Sequence, residues 1–562
     1  MEKTKLKLVL CWHMHQPEYR DLQTGTFKLP WTYLHVIKDY VDMAAHLEAV
    51  PDAKAVVNFA PILLEQIEDY AKQINAYLSD RISITDPLLD ALVSPALQVD
   101  LEERMKLVKE CLRANRERQI DRYPAYKKLA IMADWLDQNF EFLYYVNSQF
   151  IDDILVWYHL AWMGETVKLT DNRVKHLIEK GSGFTLHDRI EILEIIGEQI
   201  SNVLLRYKNL AKRGQIELSV TPYAHPIMPL LLALNATQEA MPDAPMPELK
   251  SYPGGEERVK WHLEKGVQTF KRFFGFKPQG CWPSEGSISE LCLKILDDFG
   301  FTWTASGGCV LHNSLNLQEN SVSDGIHHPF KLKQNKLACF FRDDGLSDLI
   351  GFQYSKWHAD DAVSDFIKHL EIIASNEPSD SVVSIIMDGE NAWEYYPENG
   401  YYFLSALYTR LAAHPAIELT TFSECLKDKV GIKTINRLVA GSWVYGTFST
   451  WIGDADKNRG WDMLGDAKSA FDTAIAEKRL SEKQIQEAEL QLAVCEGSDW
   501  FWWFGDYNPG EAVSNFEKQY RMNLANLYRL LGQEPPGYLA LSFTQGFGTP
   551  DMGGAMRPGV QA

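Results

Sequence analysis

The chain has 562 residues, of which 46% are apolar and 23% are charged, and this is the composition of a folded protein rather than of a disordered one. Its 56 basic and 76 acidic residues give a formal net charge of −20. That charge argues against general attraction to nucleic acid or to an anionic membrane surface, so we expect neither partner.

The cysteines and the N-terminal segment indicate the compartment. The eight cysteines are scattered and form no Cys-x-x-Cys pair, which argues against a zinc ribbon or a dithiol redox motif. The apolar run near the N-terminus is too short for a signal-peptide core, and no run approaches the roughly 20 apolar residues of a membrane span. We therefore expect a cytoplasmic protein.

Seven short apolar runs are typical of strands buried on both faces of a parallel sheet. Helical patterns lie between most of them, and Thr185 with Asp188 forms a capping-box pattern at the start of a long helix over 185–213. This alternation predicts an α/β fold with a seven-stranded barrel, whose closure the sequence leaves open. The predicted strands are 6–12, 55–59, 215–220, 280–282, 301–305, 338–342 and 382–387.

Two regions interrupt the alternation. Residues from about 62 to 184 carry helical patterns and no convincing strand, which predicts a helical insertion within a catalytic barrel of residues 1–430. Residues 431–543 are also mostly helical and form the predicted C-terminal domain. The segment 544–562 is rich in glycine and proline, so we expect a flexible tail there.

The first candidate site residues are His13 and His15, at the C-terminal end of the first predicted strand. Side chains two positions apart on a strand share a face, and barrels place their active sites at this end of their strands. Three interpretations are open: metal ligands, hydrogen-bonding groups for a polar substrate, or imidazoles satisfied by the local backbone.

Glu217 lies on the third predicted strand and shares a face with Gln215. A carboxylate inside a barrel is costly unless it has a partner, so either a substrate contact or a structural salt bridge would explain it. His225, shortly after that strand, is a weaker candidate for an inward polar group.

Two further carboxyls follow predicted strands. Glu285, just after Trp282, lies between a strand and a helix whose first amides would favour its ionised form, as a nucleophile requires. Asp388, followed by Glu390, ends an apolar strand, and desolvation there would raise its pKa, as a general acid requires. The alternatives are an ordinary glutamate at a helix start and a simple turn.

Tryptophan is concentrated in the C-terminal region. Aromatic faces beside carboxylates are typical of sites that stack on sugar rings and bond their hydroxyls, and Asp499 and Trp500 lie in such a stretch at 496–506. The alternative is the core of a helical domain. The six tryptophans are Trp443, Trp451, Trp461, Trp500, Trp502 and Trp503.

Paired carboxyls, paired histidines and aromatic platforms together indicate a glycosidase. Five segments, in this order, resemble the motifs of glycoside hydrolase family 57, and they spread over most of the chain. They are His15-Gln16-Pro17, Gly214-Gln215-Ile216-Glu217, Trp282-Pro283-Ser284-Glu285, Asp388-Gly389-Glu390-Asn391 and Ser498-Asp499-Trp500.

The resemblance implies an incomplete (β/α)7 barrel with a C-terminal helical region that completes the cleft. It implies a retaining mechanism on α-glucans, without metal or other cofactor, in which Glu285 is the nucleophile and Asp388 the general acid/base. Residues matching substrate-binding positions are His13, His15, Glu217, Glu390, Asp499 and Trp500, and Trp282 joins them as a binding candidate. The sequence is most similar to the α-amylase and amylopullulanase side of the family.

The sequence is compatible with four functions. The first is a hydrolase of α-1,4 bonds, with α-1,6 bonds left open, and the second is a glucan transferase (4-α-glucanotransferase or branching enzyme) with the same catalytic pair. The third is a metal-dependent enzyme built on His13, His15 and Asp388, and the fourth is a glucan-binding protein without activity. The resemblance argues against the third, and the intact Glu285 and Asp388 argue against the fourth.

Overall fold

The computed structural model describes residues 5–94, 100–316, 325–548 and 555–559. Of the segment 544–562, expected to be a flexible tail, residues 549–554 and 560–562 lie outside the described residues. Residues 95–99 of the expected helical insertion also lie outside them. Among the described residues no helix is both long enough and apolar enough to cross a membrane.

Seven parallel strands form a closed barrel, and all seven coincide with apolar runs predicted from the sequence. Neighbours pair in the order β7-β1-β2-β3-β4-β5-β6, and a single pairing between Ser384 and Arg342 joins β7 to β6 and closes the ring. The (β/α)7 barrel is thus confirmed, and its closure is settled. The strands are β1 Leu6–Met14, β2 Ala55–Phe59, β3 Ile216–Val220, β4 Gly280–Cys281, β5 Trp303–Gly307, β6 Ala338–Arg342 and β7 Val382–Asp388.

Short strands extend the sheet outside the ring. Ile417–Leu419 pairs with β1, Phe330–Leu332 pairs with β6, and Lys433–Ile435 pairs with Phe330–Leu332. Arg20–Asp21 and Thr26–Phe27 form a separate antiparallel hairpin.

Helices surround the barrel and occupy most of the chain between β2 and β3. The longest, Leu186–Lys212, begins with the expected capping box of Thr185 and Asp188. The helices as far as β4 are Trp31–His35, Val41–Ala49, Pro61–Asp80, Pro87–Val93, Leu101–Glu110, Pro124–Gln138, Ser148–Trp162, Glu165–Thr170, Asn172–Lys180, Leu186–Lys212, Met228–Leu232, Thr237–Ala240 and Gly255–Phe274.

The second half of the chain alternates strands and helices until β7 and is mainly helical after it. Ser498–Trp503 is a short helix that packs against the long helix Gly510–Leu530. The helices of this half are Glu290–Asp298, Gly308–Asn316, Asp344–Asp348, Ala359–Asn376, Tyr401–Ala412, Phe422–Lys427, Ala455–Ala476, Glu482–Cys495, Ser498–Trp503 and Gly510–Leu530.

Apolar side chains fill the interior of the barrel. Trp303 and Phe340 each pack against Phe422, with ring centroids 4.5 Å apart in both pairs. Above this layer, Trp282 lies fully buried beneath His13 and Trp443. Because the centre is closed, polar chemistry is confined to the ends of the barrel.

We predict that Gly280→Ala destabilises the barrel. A Cβ at Gly280 would overlap the indole of Trp303, which is fully buried and packs against Phe422. The expected cost is about 1–3 kcal/mol or more, typical of over-packing in a core, and it should appear as a lower Tm. Gly537→Ala is the matched control, since no atom lies within 4 Å of its added Cβ. Equal Tm values for the two variants would contradict this packing.

Candidate active site

A cleft of about 750 Å³ opens at the C-terminal ends of the barrel strands. Six of the residues predicted from the sequence line it. They are His13, His15, Glu285, Asp388, Glu390 and Asp499. The strand ends therefore converge as barrel geometry predicts, and the helix Ser498–Trp503 brings Asp499 in from the C-terminal region.

Strand register explains why His13 and Asp388 lie together. His13 on β1 pairs with Asp388 on β7 and with Asn58 on β2, so all three lie at one level of the barrel. His13 Nδ1 is 2.7 Å from the amide oxygen of Asn58, which fixes the imidazole. Burial and the nearby His15 lower the pKa of His13 to about 3, so His13 is neutral.

The histidines form a stacked group. The rings of His15 and His225 are 3.8 Å apart, and those of His13 and His15 are 5.6 Å apart, as expected for side chains on one face of a strand. Each ring is also held by a polar partner: His15 Nε2 lies 2.8 Å from Asp499, and His225 Nδ1 lies 2.8 Å from the Ser498 hydroxyl. His225, the weaker candidate in the sequence, is therefore central to the site.

Glu285 occupies an unusual backbone position. Its φ of 58° lies in the left-handed region, which is uncommon for a residue with a side chain and is found mainly where the surroundings impose it. The helix that follows begins only at Glu290, with Ser289 as its cap. Among the described residues, no amide of that helix donates to the Glu285 carboxylate, contrary to the expectation. The carboxylate instead accepts a hydrogen bond from the indole of Trp443 at 2.8 Å.

The two candidate catalytic carboxyls differ from the sequence expectation in their pKa order. Burial raises the pKa of Asp388 to about 6, as expected, although the amide of Asn391 bonds its carboxylate at 2.9 Å. Burial and the charge of Asp388 raise the pKa of Glu285 to about 8, against the hydrogen bond from Trp443. The expectation that Glu285 is the more readily ionised group is therefore wrong for the unliganded cleft.

Glu390 is buried beside Asp388 and accepts hydrogen bonds from the His15 backbone and the Gln16 amide, at 3.3 and 3.2 Å. Burial and the charge of Asp388 raise its pKa well above the ordinary value. The protonated form of Glu390 is therefore favoured, and a protonated carboxyl can donate a hydrogen bond into the cleft.

Glu217 is not in the cleft. It pairs with Val56, two residues before the level of His13, Asn58 and Ser219, and thus about 7 Å nearer the N-terminal end of the barrel. Its carboxylate accepts hydrogen bonds from the Trp303 indole at 2.6 Å and the Ser423 amide at 3.0 Å. Its side chain points into the barrel, as expected, but its carboxyl lies on the N-terminal side of the apolar core, away from the cleft.

Trp282 and Trp500 also lie outside the cleft lining. Trp282 is fully buried in the barrel, and Trp500 is 1% exposed and donates its indole N–H to the Val494 carbonyl at 2.7 Å. The tryptophans that do line the cleft are Trp31, Trp162, Trp443, Trp502 and Trp503. The aromatic run 500–503 does contribute Trp502 and Trp503 to the cleft, as its composition predicted. Because the run is helical, Trp500 faces the core instead.

His15, His225 and Asp499 are the group best placed to hold a metal ion, with ligand atoms within 4.8 Å of one another. The two imidazoles are stacked face to face, and His225 Nε2 is already 3.1 Å from His13 Nε2. Two parallel rings do not direct their nitrogens at one tetrahedral centre, so this arrangement fits a hydrogen-bonded network better than a metal site.

A closed parallel barrel with two buried carboxyls in one cleft and aromatic walls is the architecture of a glycoside hydrolase. The model of glycosyl hydrolase family 57 matches residues 9–438, and the chain belongs to that family. No curated protein matches the chain in sequence.

Solved structures of similar fold share little sequence with the chain. A branching enzyme of family 57 from Pyrococcus horikoshii is 16% identical, with a TM-score of 0.59 over 94% of this chain and 90% of that one. An α-amylase from Thermotoga maritima is 13% identical, with a TM-score of 0.56 over 94% and 93%. A 4-α-glucanotransferase from Thermococcus litoralis is 14% identical, with a TM-score of 0.50 over 93% and 60%. At these identities the likeness shows the fold.

We predict that Glu496→Gln destabilises the fold near Asp499, which follows it by three residues. Glu496 is fully buried, and it accepts hydrogen bonds from Arg258 and Tyr252 and lies 2.8 Å from His262. Burial opposes its ionisation, but the charges and hydrogen bonds of Arg258 and His262 together outweigh burial and lower the pKa to about 2. Removing one partner of a buried ion pair costs about 3–5 kcal/mol, so the Tm should fall.

The pH dependence and a control test the same interaction. A carboxyl with a depressed pKa stabilises the fold above its unfolded value, near pH 4, and loses that effect as the pH falls towards 2. The Tm difference between wild type and Glu496→Gln should therefore shrink over that range. The control is Glu256→Gln, on the helix Gly255–Phe274 that carries Arg258 and His262. It removes an exposed ion pair and should leave Tm unchanged. A constant difference at all pH values would contradict the assignment.

Proposed function

We propose that this chain is a retaining enzyme acting on α-glucans, with hydrolysis of α-1,4 bonds as its main reaction. The observation that carries the proposal is that Glu285 and Asp388, from two separate strand ends, are half-buried in one cleft and close enough for the charge of Asp388 to raise the pKa of Glu285. Retaining glycosidases need two such carboxyls, about 5–5.5 Å apart.

Glu285 is the proposed nucleophile and Asp388 the proposed acid/base. The Glu285 carboxylate attacks the anomeric carbon while the Asp388 proton passes to the glycosidic oxygen, and the bond between carbon and oxygen breaks. Asp388, now ionised, then takes a proton from a water molecule whose oxygen attacks the anomeric carbon. The bond between that carbon and Glu285 breaks, and the sugar is released. In the unliganded cleft Glu285 has the higher pKa and holds the shared proton. The proposed roles require that proton to lie on Asp388 once substrate is bound.

The remaining lining residues fit a polar, uncharged ligand. His13, His15, Glu390 and Asp499 offer hydrogen-bonding groups around the two carboxyls, and the lining tryptophans offer flat apolar faces to sugar rings. An acidic protein with such a site favours a neutral polysaccharide over an anionic substrate.

Transfer to a second sugar is the alternative outcome, and the aromatic walls favour it. Trp443, Trp502 and Trp503 all border the cleft, and apolar walls exclude water while they hold an acceptor sugar. Glucanotransferase or branching activity would use the same Glu285 and Asp388, with a sugar hydroxyl replacing water in the second step.

Product analysis separates these reactions. The enzyme is dialysed against EDTA and incubated with maltooligosaccharides and amylose, because carboxylate chemistry requires no metal. Release of reducing sugar alone indicates hydrolysis, longer oligosaccharides indicate 4-α-transfer, and new α-1,6 linkages indicate branching. No change in any substrate with intact enzyme, or activity that returns only when Zn²⁺ is added, would refute the proposal.

The catalytic roles predict different variant phenotypes. Glu285→Gln should lose about four orders of magnitude or more in kcat on every substrate. Asp388→Asn should lose activity on amylose but keep the first step on aryl glucosides with good leaving groups, which need little protonation. Asp360→Asn, in the first turn of a surface helix, is the control and should match wild type.

Azide identifies each role by stereochemistry. With Asp388→Ala, azide should attack the glycosyl-enzyme and give an α-glycosyl azide, whereas with Glu285→Ala it should attack the substrate directly and give the β product. The opposite pairing of product and variant would exchange the two roles.

The pH profile follows from the carboxyl pair as a unit. Below pH about 6 both carboxyls are protonated and no nucleophile remains, whereas above about pH 8 both are ionised and no acid remains. A bell-shaped kcat/KM with limbs near these values is therefore expected, whichever carboxyl holds the shared proton. A profile that stays flat from pH 5 to 9 would contradict it.

We further propose a cytoplasmic location, a catalytic barrel of residues 1–430 and a helical domain of residues 431–543 that completes the cleft. All eight cysteines are free, and seven of them are buried. The hydrogen bond between His15 and Asp499 supports a shared cleft between the barrel and the later helices. Disulfides in the native protein, detected by mass analysis without reduction, would count against the location.

A further inference from the structure

The segment 555–559 lies against the cleft, although its composition predicts a loose tail. Ala555, Met556 and Arg557 line the same cavity as Glu285 and Asp388. Gly559 anchors the segment to the barrel side, because its N–H donates to Asp348 at 2.9 Å and its carbonyl accepts from the Tyr445 N–H at 3.0 Å.

Arg557 is held by two aromatic rings. Its guanidinium carbon is 4.5 Å from the ring centroid of Trp502 and 4.9 Å from that of Tyr507. The same guanidinium donates hydrogen bonds to the Thr450 hydroxyl at 3.1 Å and the Tyr507 hydroxyl at 3.2 Å. This combination of stacking and forked donation is available to arginine and not to lysine.

Among the described residues, the charge of Arg557 has no ion-pair partner. Two other arginines of the cleft wall are paired: Arg342 binds Asp344 and Asp348, and Arg113 binds Glu110 and Glu511. Within the part of the chain that the structure describes, no carboxylate lies within 4 Å of the Arg557 guanidinium. The positive charge is therefore directed at the acidic cleft as a whole.

We propose that Arg557 is a positioning residue of this active site, which holds Trp502 in the cleft wall as a platform for a glucan ring and supplies the positive charge facing Glu285. The inference rests on the proposed glucan activity and adds to it a residue from outside the family motifs.

The groups around Glu285 show why one positive charge matters. Asp388 and Asp499 face it with negative charge, His225 lies 4.0 Å away and is neutral because burial lowers its pKa, and Trp443 donates one hydrogen bond. Burial and Asp388 raise the pKa of Glu285, and the Arg557 charge lowers it by a smaller amount, as the Trp443 hydrogen bond also does. Removing Arg557 should leave the Glu285 carboxylate surrounded by anions and neutral groups.

Three variants test the inference. In Arg557→Met, we expect KM for maltooligosaccharides to rise on the order of threefold to tenfold, since Trp502 loses its stacked partner. The alkaline limb of kcat/KM, near pH 8, should also move to higher pH, because that limb follows the Glu285 titration. Arg557→Lys retains the charge but not the planar stack, so it should raise KM and leave the alkaline limb in place. Arg459→Met is the matched control, because Arg459 stacks on Tyr538 away from the cleft, and it should change neither quantity.

A second readout needs no turnover. In enzyme labelled with carbon-13 at the glutamate side-chain carboxyl, the Glu285 signal is identified by its loss in Glu285→Gln, and its titration is followed in wild type and Arg557→Met. A higher pKa in Arg557→Met supports the inference even if no glucan is converted, in which case only the proposed function fails. Identical titration curves, or wild-type KM and pH limbs in Arg557→Met, would overturn it.

Discussion

The desolvation of several carboxyls within one cleft is the constraint around which this molecule is organised. Glu285, Asp388 and Glu390 all have pKa values raised by burial, and each charge in the group opposes the others. Such a cluster is tolerable only where rigid donors and cations offset part of the cost. The barrel supplies the rigidity, and Trp443, Asn391 and His15 supply hydrogen bonds or charge to the cluster.

The support of the site is layered. Beneath the cleft, Trp282 fills the barrel and contacts both His13 and Trp443, so the residues that touch the carboxyls rest on an apolar base. Beside the cleft, Arg342 bonds the Ile386 carbonyl and lies 5.7 Å from the Trp443 ring. A substitution at Trp282 or Arg342 would therefore shift the catalytic carboxyls although the carboxyl residues themselves are unchanged.

The sequence predicted the barrel well because each strand is a short, continuous apolar run. Barrels gather strand ends, which brought five of the six predicted cleft residues together, and Asp499 joins them from the helix Ser498–Trp503. The depth of Glu217 could not be predicted, since a side-chain period of two gives the face of a strand but not the depth along it. The pKa order failed because burial and the charge of Asp388 raise the pKa of Glu285, and the next helix begins too late, at Glu290, for its amides to offset them. Arg557 carries no local pattern, and its position follows only from tertiary packing.

The hydrogen bond between His15 and Asp499 joins residues 484 positions apart in the chain. During synthesis at about 5–20 residues per second, the barrel strands emerge well before this contact can form. A nascent chain with all seven strands, through Asp388, still lacks one side of its cleft. Catalytic competence is thereby coupled to the late steps of synthesis, and a partly made chain holds its buried carboxyls in a site that is not yet able to process glucan.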